Sequence, residues 1–187
     1  MLSINDLKPD TIFIFENQIY KVVEAKHLHL GRGGAILQTK IKNLKSGNVI
    51  KRNFKPADSF QEANVSRETV KYIYNHRGQY FFCDTKNPAK RFSLDEKLIG
   101  DKKKFLKEGM EVETIKFKEE IIDVVLPIKV DLKVIQAPPS FKGDTAQGGT
   151  KVVVLETGSE IKVPFFIKEG DIIKVNTRKG EYVERAR

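Results

Sequence analysis

Hydrophobic positions along this chain alternate with polar ones far more often than they recur at helical spacing. Residues 11–15 (TIFIF) and 19–23 (IYKVV) are short apolar runs separated by Glu16-Asn17-Gln18, the pattern of two strands joined by a tight turn. Further on, Leu37, Thr39 and Ile41 alternate with Gln38, Lys40 and Lys42. Period-two spacing puts the first set on a core face and the second on an exposed face. Residues 43–48 form a turn and 49–54 another strand, after which the polar stretch 55–64 approaches a boundary. The pattern then restarts. Residues 65–75 and 80–84 read as strands around a turn at His76-Arg77-Gly78-Gln79, and 110–117 and 121–126 as strands around Lys118-Glu119-Glu120. The spacing Ser93-Leu94-Asp95-Glu96 fits a capping box and predicts a short helix over 94–99. Asp101 is expected to cap a second helix running through Leu106 and stopping near Gly109. Residues 129–135, 151–155, 160–164, 172–176 and 179–185 are β again, with a long Pro- and Gly-rich loop over 137–149. A loop of that length without structure of its own is usually functional or disordered.

Repeated short strands with tight turns predict an all-β chain of three small barrels in tandem, over residues 1–64, 65–127 and 128–187. Composition then narrows the class. Lys plus Arg number 34 against 25 Asp plus Glu, a net charge of +9. Such an excess points to an anionic partner, most often nucleic acid. A hydrophobic content of 40% is enough for real cores. The lone Cys83 sits in the apolar run Tyr80-Phe81-Phe82-Cys83 and is expected to be a buried thiol, which suits a reducing compartment. The N-terminal segment MLSINDLKPD has neither the charged nor the apolar region of a signal peptide, and no apolar run approaches spanning length. A cytoplasmic protein that engages no membrane is expected.

The candidate chemistry gathers at residues 27–35, HLHLGRGGA. A single guanidinium, Arg32, stands between Gly31 and Gly33-Gly34. Glycine lets the backbone turn tightly and approach another surface, and arginine offers five donors in a planar fork that also stacks on flat rings. These residues alone favour an ordinary polar hairpin turn. His27 and His29 would share a strand face. With no cysteine or acidic partner beside them they suit RNA backbone contact or plain exposure better than metal binding, and no metal site is expected. Lys40 and Lys42 are candidate phosphate contacts. No Walker-type loop, zinc pattern or nucleophile elbow occurs, and nothing sets a nucleophile beside a base. Neither a catalytic residue nor a cofactor is expected.

Two long stretches add a family resemblance. The C-terminal one, residues 143–186, carries Thr157-Gly158, Val163-Pro164-Phe165-Phe166, Gly170-Asp171, Val175-Asn176-Thr177-Arg178 and Gly180-Glu181-Tyr182 in order. The N-terminal one carries residues 31–35, then Thr39-Lys40, Lys42-Asn43-Leu44 and Gly47, and residues 105–110 agree as well. With these the chain resembles the bacterial elongation factor P family over essentially its whole length. The resemblance implies an SH3-like (KOW-like) first barrel, two OB-fold barrels and an elongated, tRNA-like shape. It implies a non-enzymatic factor, expected to be a monomer, that binds the 70S ribosome between the P and E sites. Such a factor contacts P-site peptidyl-tRNA and relieves stalling at consecutive prolines. Arg32 would then be the tip residue beside the peptidyl-transferase centre, supported by Gly31, Gly33, Gly34, His27 and His29. Gly143, Asp144 and Thr145 would form the loop that approaches the E-site codon of the mRNA, and Tyr182 and Arg185 would lie within reach of RNA, with packing in the barrel an equally good reading of Tyr182. Arginine at the tip also resembles the branch that is rhamnosylated there, which would add an arginine-modifying glycosyltransferase to the partners. Leu30 and Gly33 depart from that branch, so a bare Arg32 is the preferred expectation. The alternative is a paralogue of the family, or a general OB-fold RNA-binding module.

Overall fold

The computed structural model describes residues 1–30, 34–139 and 149–186. Its strands form three antiparallel sheets of five strands each. The first contains β1 (Ile12–Phe15), β2 (Gln18–Leu30), β3 (Gly34–Asn43), β4 (Val49–Phe54) and β5 (Gln61–Glu62), in the order β4-β3-β2-β1-β5. The second contains β6 (Ser66–His76), β7 (Gln79–Asp84), β8 (Arg91–Asp95), β9 (Glu111–Phe117) and β10 (Glu120–Val125), in the order β10-β9-β6-β7-β8. The third contains β11 (Lys129–Gln136), β12 (Thr150–Leu155), β13 (Glu160–Pro164), β14 (Ile172–Asn176) and β15 (Glu181–Arg185), in the order β13-β12-β11-β14-β15. By contact density the chain divides into two units. One holds Met1–Arg67 with Ile115–Asp123, the other Glu68–Thr114 with Val124–Arg187.

The turns follow from their residues. Glu16 and Asn17 both have positive φ, as do Lys118 and Glu119, the left-handed pair that matches hairpin twist. At Arg77-Gly78 the same geometry is shared with a glycine. The first core gathers Phe13, Tyr20, Phe54 and Phe60 with Leu7, Val22, Leu37 and Ile41. Phe13 is fully buried, and Phe60 and Phe54 meet it edge-on. A separate cluster runs continuously from Val70, Phe82 and Ile99 on the second sheet to Leu132, Leu155 and Ile173 on the third. Where these two sheets meet, Thr157 and Ser159 hydroxyls both donate to the Lys104 carbonyl, at 2.6 and 2.7 Å. Lys107 donates to the Asp131 carbonyl at 2.8 Å. Cys83 is a buried free thiol.

The two predicted helices need correction. Ser93 lies within β8, paired with Phe81, and the helix occupies only Glu96–Ile99, with Asp95 at its N-cap and no side-chain cap bond. Edge pairing with β7 satisfies this backbone before any helix can start, and the Asp95 carboxylate accepts from Gln79 instead of capping. Asp101 sits inside a 3-10 turn, Gly100–Phe105, and pairs with Lys104 at 2.7 Å. A Ser carboxylate clasp forms elsewhere: Asp6 accepts from both the Ser3 amide and the Ser3 hydroxyl. That clasp holds the Asp6 carboxyl below its usual range.

Candidate nucleic-acid interface

The hairpin β2–β3 is the longest pairing of the first sheet, running from Tyr20↔Asn43 to Leu30↔Gly34. Its register places Leu37, Thr39 and Ile41 inward, at 0%, 4% and 0% exposure. Thr39 is polar yet buried, and its hydroxyl donates to the Arg52 carbonyl at 2.9 Å. Gly31, Arg32 and Gly33 lie outside the described residues. The strands on either side are paired up to Leu30 and from Gly34. His27 is exposed and stands opposite Leu37, and His29 pairs with Ala35 in the same ladder.

The opposite face of this sheet is cationic. Register sets Lys21, Lys42 and Val49 in one row, Glu24, Lys40 and Lys51 in the next, and Lys26, Gln38 and Asn53 in the third. A bulge at Val23 keeps Glu24 and Lys21 on the same face. Two of these lysines are engaged. Lys40 donates to Glu24 at 2.8 Å, and Lys21 to the nearly buried Asp123 at 2.5 Å. Lys51 stands directly across from Lys40, a like-charge placement that costs sheet stability. Among the described residues, Lys26, Lys42 and Lys51 therefore present the uncompensated charge of the face. Lys40 and Lys42 are readable from alternation. Lys26 and Lys51 were missed because only strand register places them beside that pair.

At the C-terminal end, Gly143, Asp144 and Thr145 lie outside the described residues. Gly149 follows them, and the Phe165 ring fills the space any side chain there would need, with its nearest atom 1.9 Å from an ideal Cβ. Tyr182 is half-buried, pairs with Val175 and packs on the core. Arg185 is exposed and lies 4.0 Å from the Asp171 carboxylate. Tyr182 and Arg185 belong to the third sheet, and the lysine face to the first.

Comparison with known proteins covers the whole chain. Residues 3–60 match the family model described as "Elongation factor P (EF-P) KOW-like domain". Residues 65–124 match the "Elongation factor P (EF-P) OB domain", and residues 130–185 match "Elongation factor P, C-terminal". The chain is 44% identical to "Elongation factor P" of Thermotoga maritima, over 100% of both chains. It is 41% identical to the protein of that name from Moorella thermoacetica, again over 100% of both. Among solved structures, "Eukaryotic translation initiation factor 5A" from Methanococcus jannaschii matches at 19% identity, with a TM-score of 0.41, covering 66% of this chain and 94% of that one.

Proposed function

We propose, from the premise that this chain belongs to the elongation factor P family of translation factors, that it binds the ribosome between the P and E sites and brings Arg32 to the acceptor end of peptidyl-tRNA. The observation that carries this reading is the long β2–β3 hairpin, paired on both sides of Arg32, with Lys26, Lys42 and Lys51 on one face. Lysines on a strand face contact phosphates as point charges, and a guanidinium can pair with phosphate or stack on a terminal base.

The factor acts by orientation. Proline restricts the geometries open to the reacting ends, and holding the tRNA end in a productive pose lowers the barrier without acid–base chemistry. His27 and His29 flank the hairpin end as backbone contacts. Gly31, Gly33 and Gly34 leave the approach free of side-chain bulk. Gly143, Asp144 and Thr145 contact the E-site codon, and Arg185 adds a phosphate contact. The protein works as a cytoplasmic monomer with Arg32 unmodified.

The test is reconstituted translation of a template with consecutive prolines. Wild-type protein is expected to relieve the stall, and Arg32→Ala to lose most of that activity. Equal relief by the variant would remove Arg32 from its role. Intact mass of the Arg32 peptide checks the guanidinium, since an added deoxyhexose would mark it as glycosylated.

A further inference from the structure

The second sheet carries a feature that the lysine face lacks. Along β6, Val70 and Tyr72 point into the core, at 3% and 5% exposure. Simple alternation would carry Tyr74 inward too. The register shifts between Tyr72 and Tyr74, leaving Ile73 as an extra residue, and Tyr74 emerges on the outer face opposite Phe81. Bulges re-aim side chains in this way at a cost to the ladder. The two rings stack nearly parallel, with centroids 4.7 Å apart and planes at 16°. Tyr74 remains 40% exposed.

The stack has an open end. Its ring spacing equals the separation of adjacent strands, about 4.8 Å, so the stack runs across the sheet. Phe81 itself is half-buried, and the next residue in that row is the exposed Ser93 on β8, whose side chain is too small to cover a ring face. A third flat group over Ser93 would continue the stack at the same spacing. The neighbouring row holds Lys71, Cys83 and Arg91. Arg91 is exposed, on the same strand and face as Ser93, roughly 7 Å away. The row on the other side holds His76, Gln79 and Asp95, and the Asp95 carboxylate is taken by Gln79. On β9, Glu111 and Glu113 alternate outward with buried Val112 and Thr114. The anionic strand thus lies beyond Lys71, and the aromatic–cationic path leads across β7 to β8.

We propose that this face is a stacking site for an unpaired RNA base, seated over Ser93 against Phe81 and Tyr74, with its phosphate on Arg91 and the adjoining one toward Lys71. Exposed aromatic rings on a sheet with cations beside them hold single strands by stacking, tolerant of base identity. A paired base has no free face to offer, so the site discriminates single strand from duplex.

The test uses the full chain and fluorescence anisotropy with a labelled adenylate decamer and a ten-base-pair RNA duplex at one stated salt concentration. Phe81→Leu is expected to weaken decamer binding on the order of tenfold, the loss typical of one stacking ring, and to leave duplex binding unchanged. Ser93→Ile fills the slot at an exposed strand position that accepts a β-branched residue, and should weaken the decamer similarly. Arg91→Gln should lower the slope of log affinity against log salt by about 0.7. Equal decamer affinity in Phe81→Leu and Ser93→Ile proteins whose circular dichroism is intact would reduce the pair to sheet packing and overturn the proposal. Arg32→Ala should retain decamer binding even where it abolishes stall relief, which separates this site from the hairpin end. Loss of decamer binding in that variant would move the site there and refute the assignment.

Discussion

Two outward sheet faces of the same chain are built from opposite materials. On β2, β3 and β4 the exposed rows carry Lys26, Lys42 and Lys51, while the rings of that sheet, Phe13, Tyr20 and Phe54, turn inward. On β6, β7 and β8 the outer row carries the exposed Tyr74 and the half-buried Phe81, with cations only at its margin. Phosphate contacts position a protein on nucleic acid, whereas contacts to bases depend on what the strand presents. The first face should therefore bind steeply with salt and ignore strandedness, and the second should bind with a shallow salt dependence and require an unpaired base. The bulge at Ile73 and the Lys40–Lys51 juxtaposition are both costs to their sheets, which makes each face informative beyond its composition.

The faces rest on separate cores, and the largest effects should come from breaking either one. Phe13 and Phe82 are both fully buried, in different clusters. Phe13→Ala and Phe82→Ala should each cost about 3–5 kcal/mol and act on different transitions in urea unfolding. A single transition shifted equally by both would show that the cores unfold as one.

Next in size is the ion pair that removes Lys21 from the lysine face. Asp123 is 2% exposed, and its carboxylate holds Lys21 at 2.5 Å. Truncating one partner of a buried pair leaves the other charge stranded, so Asp123→Ala should destabilise by about 3 kcal/mol. The double replacement Lys21→Met with Asp123→Leu should recover most of that loss, because no charge is then left unpaired. If the double variant is as unstable as the single, the pair's hydrogen bonding is more than a neutralised liability.

Tyr72, on the inward side of the bulge, should tie stability to pH in base. Burial pushes the Tyr72 phenol up to about 12, with Tyr80 and Glu108 nearby adding to the shift. In the unfolded chain it titrates near 10. The neutral form is the one the fold retains, so this contribution is whole below pH 10 and is lost as pH rises from 10 toward 12. By pH 11 the loss should reach about 1 kcal/mol. Urea unfolding at pH 9 and pH 11 should show this loss in the wild type and a smaller one in Tyr72→Phe.

How far the sequence discloses this arrangement depends on the distance over which each feature is decided. Alternation and turn residues are local, so the all-β class, the turn at Glu16-Asn17 and the inward set Leu37, Thr39 and Ile41 are legible directly. The helix expected from Ser93 forms only from Glu96, without the Ser93 cap, because a capping pattern is also local, while pairing of Ser93 with Phe81 is decided across the sheet. The same reason hides Lys51 and Lys26 beside Lys40 and Lys42. Tyr74 is hidden more deeply, since a bulge reverses the face that alternation assigns. Arg32 stands out in the sequence as a lone cation among glycines, and the role proposed for it rests on family membership and on the paired strands that flank it.

The smallest stability effect offers the sharpest separation of the two faces. Lys51 stands across from Lys40, and Glu24 already neutralises Lys40 from the other side. Replacing Lys51 with Gln removes the like-charge opposition and should stabilise the protein by a few tenths of a kcal/mol, at the low end of cross-strand pair effects. If the lysine face contacts phosphates, the same substitution should weaken RNA duplex binding and reduce the salt slope by about one. The loss of decamer affinity caused by Phe81→Leu should be the same in the Lys51→Gln background as in the wild type. Gain of stability with loss of duplex affinity is what a residue kept for its partner should show, because packing alone would favour the replacement. An unchanged salt slope would leave Lys51 a solvated charge and shift the phosphate contacts to Lys26 and Lys42.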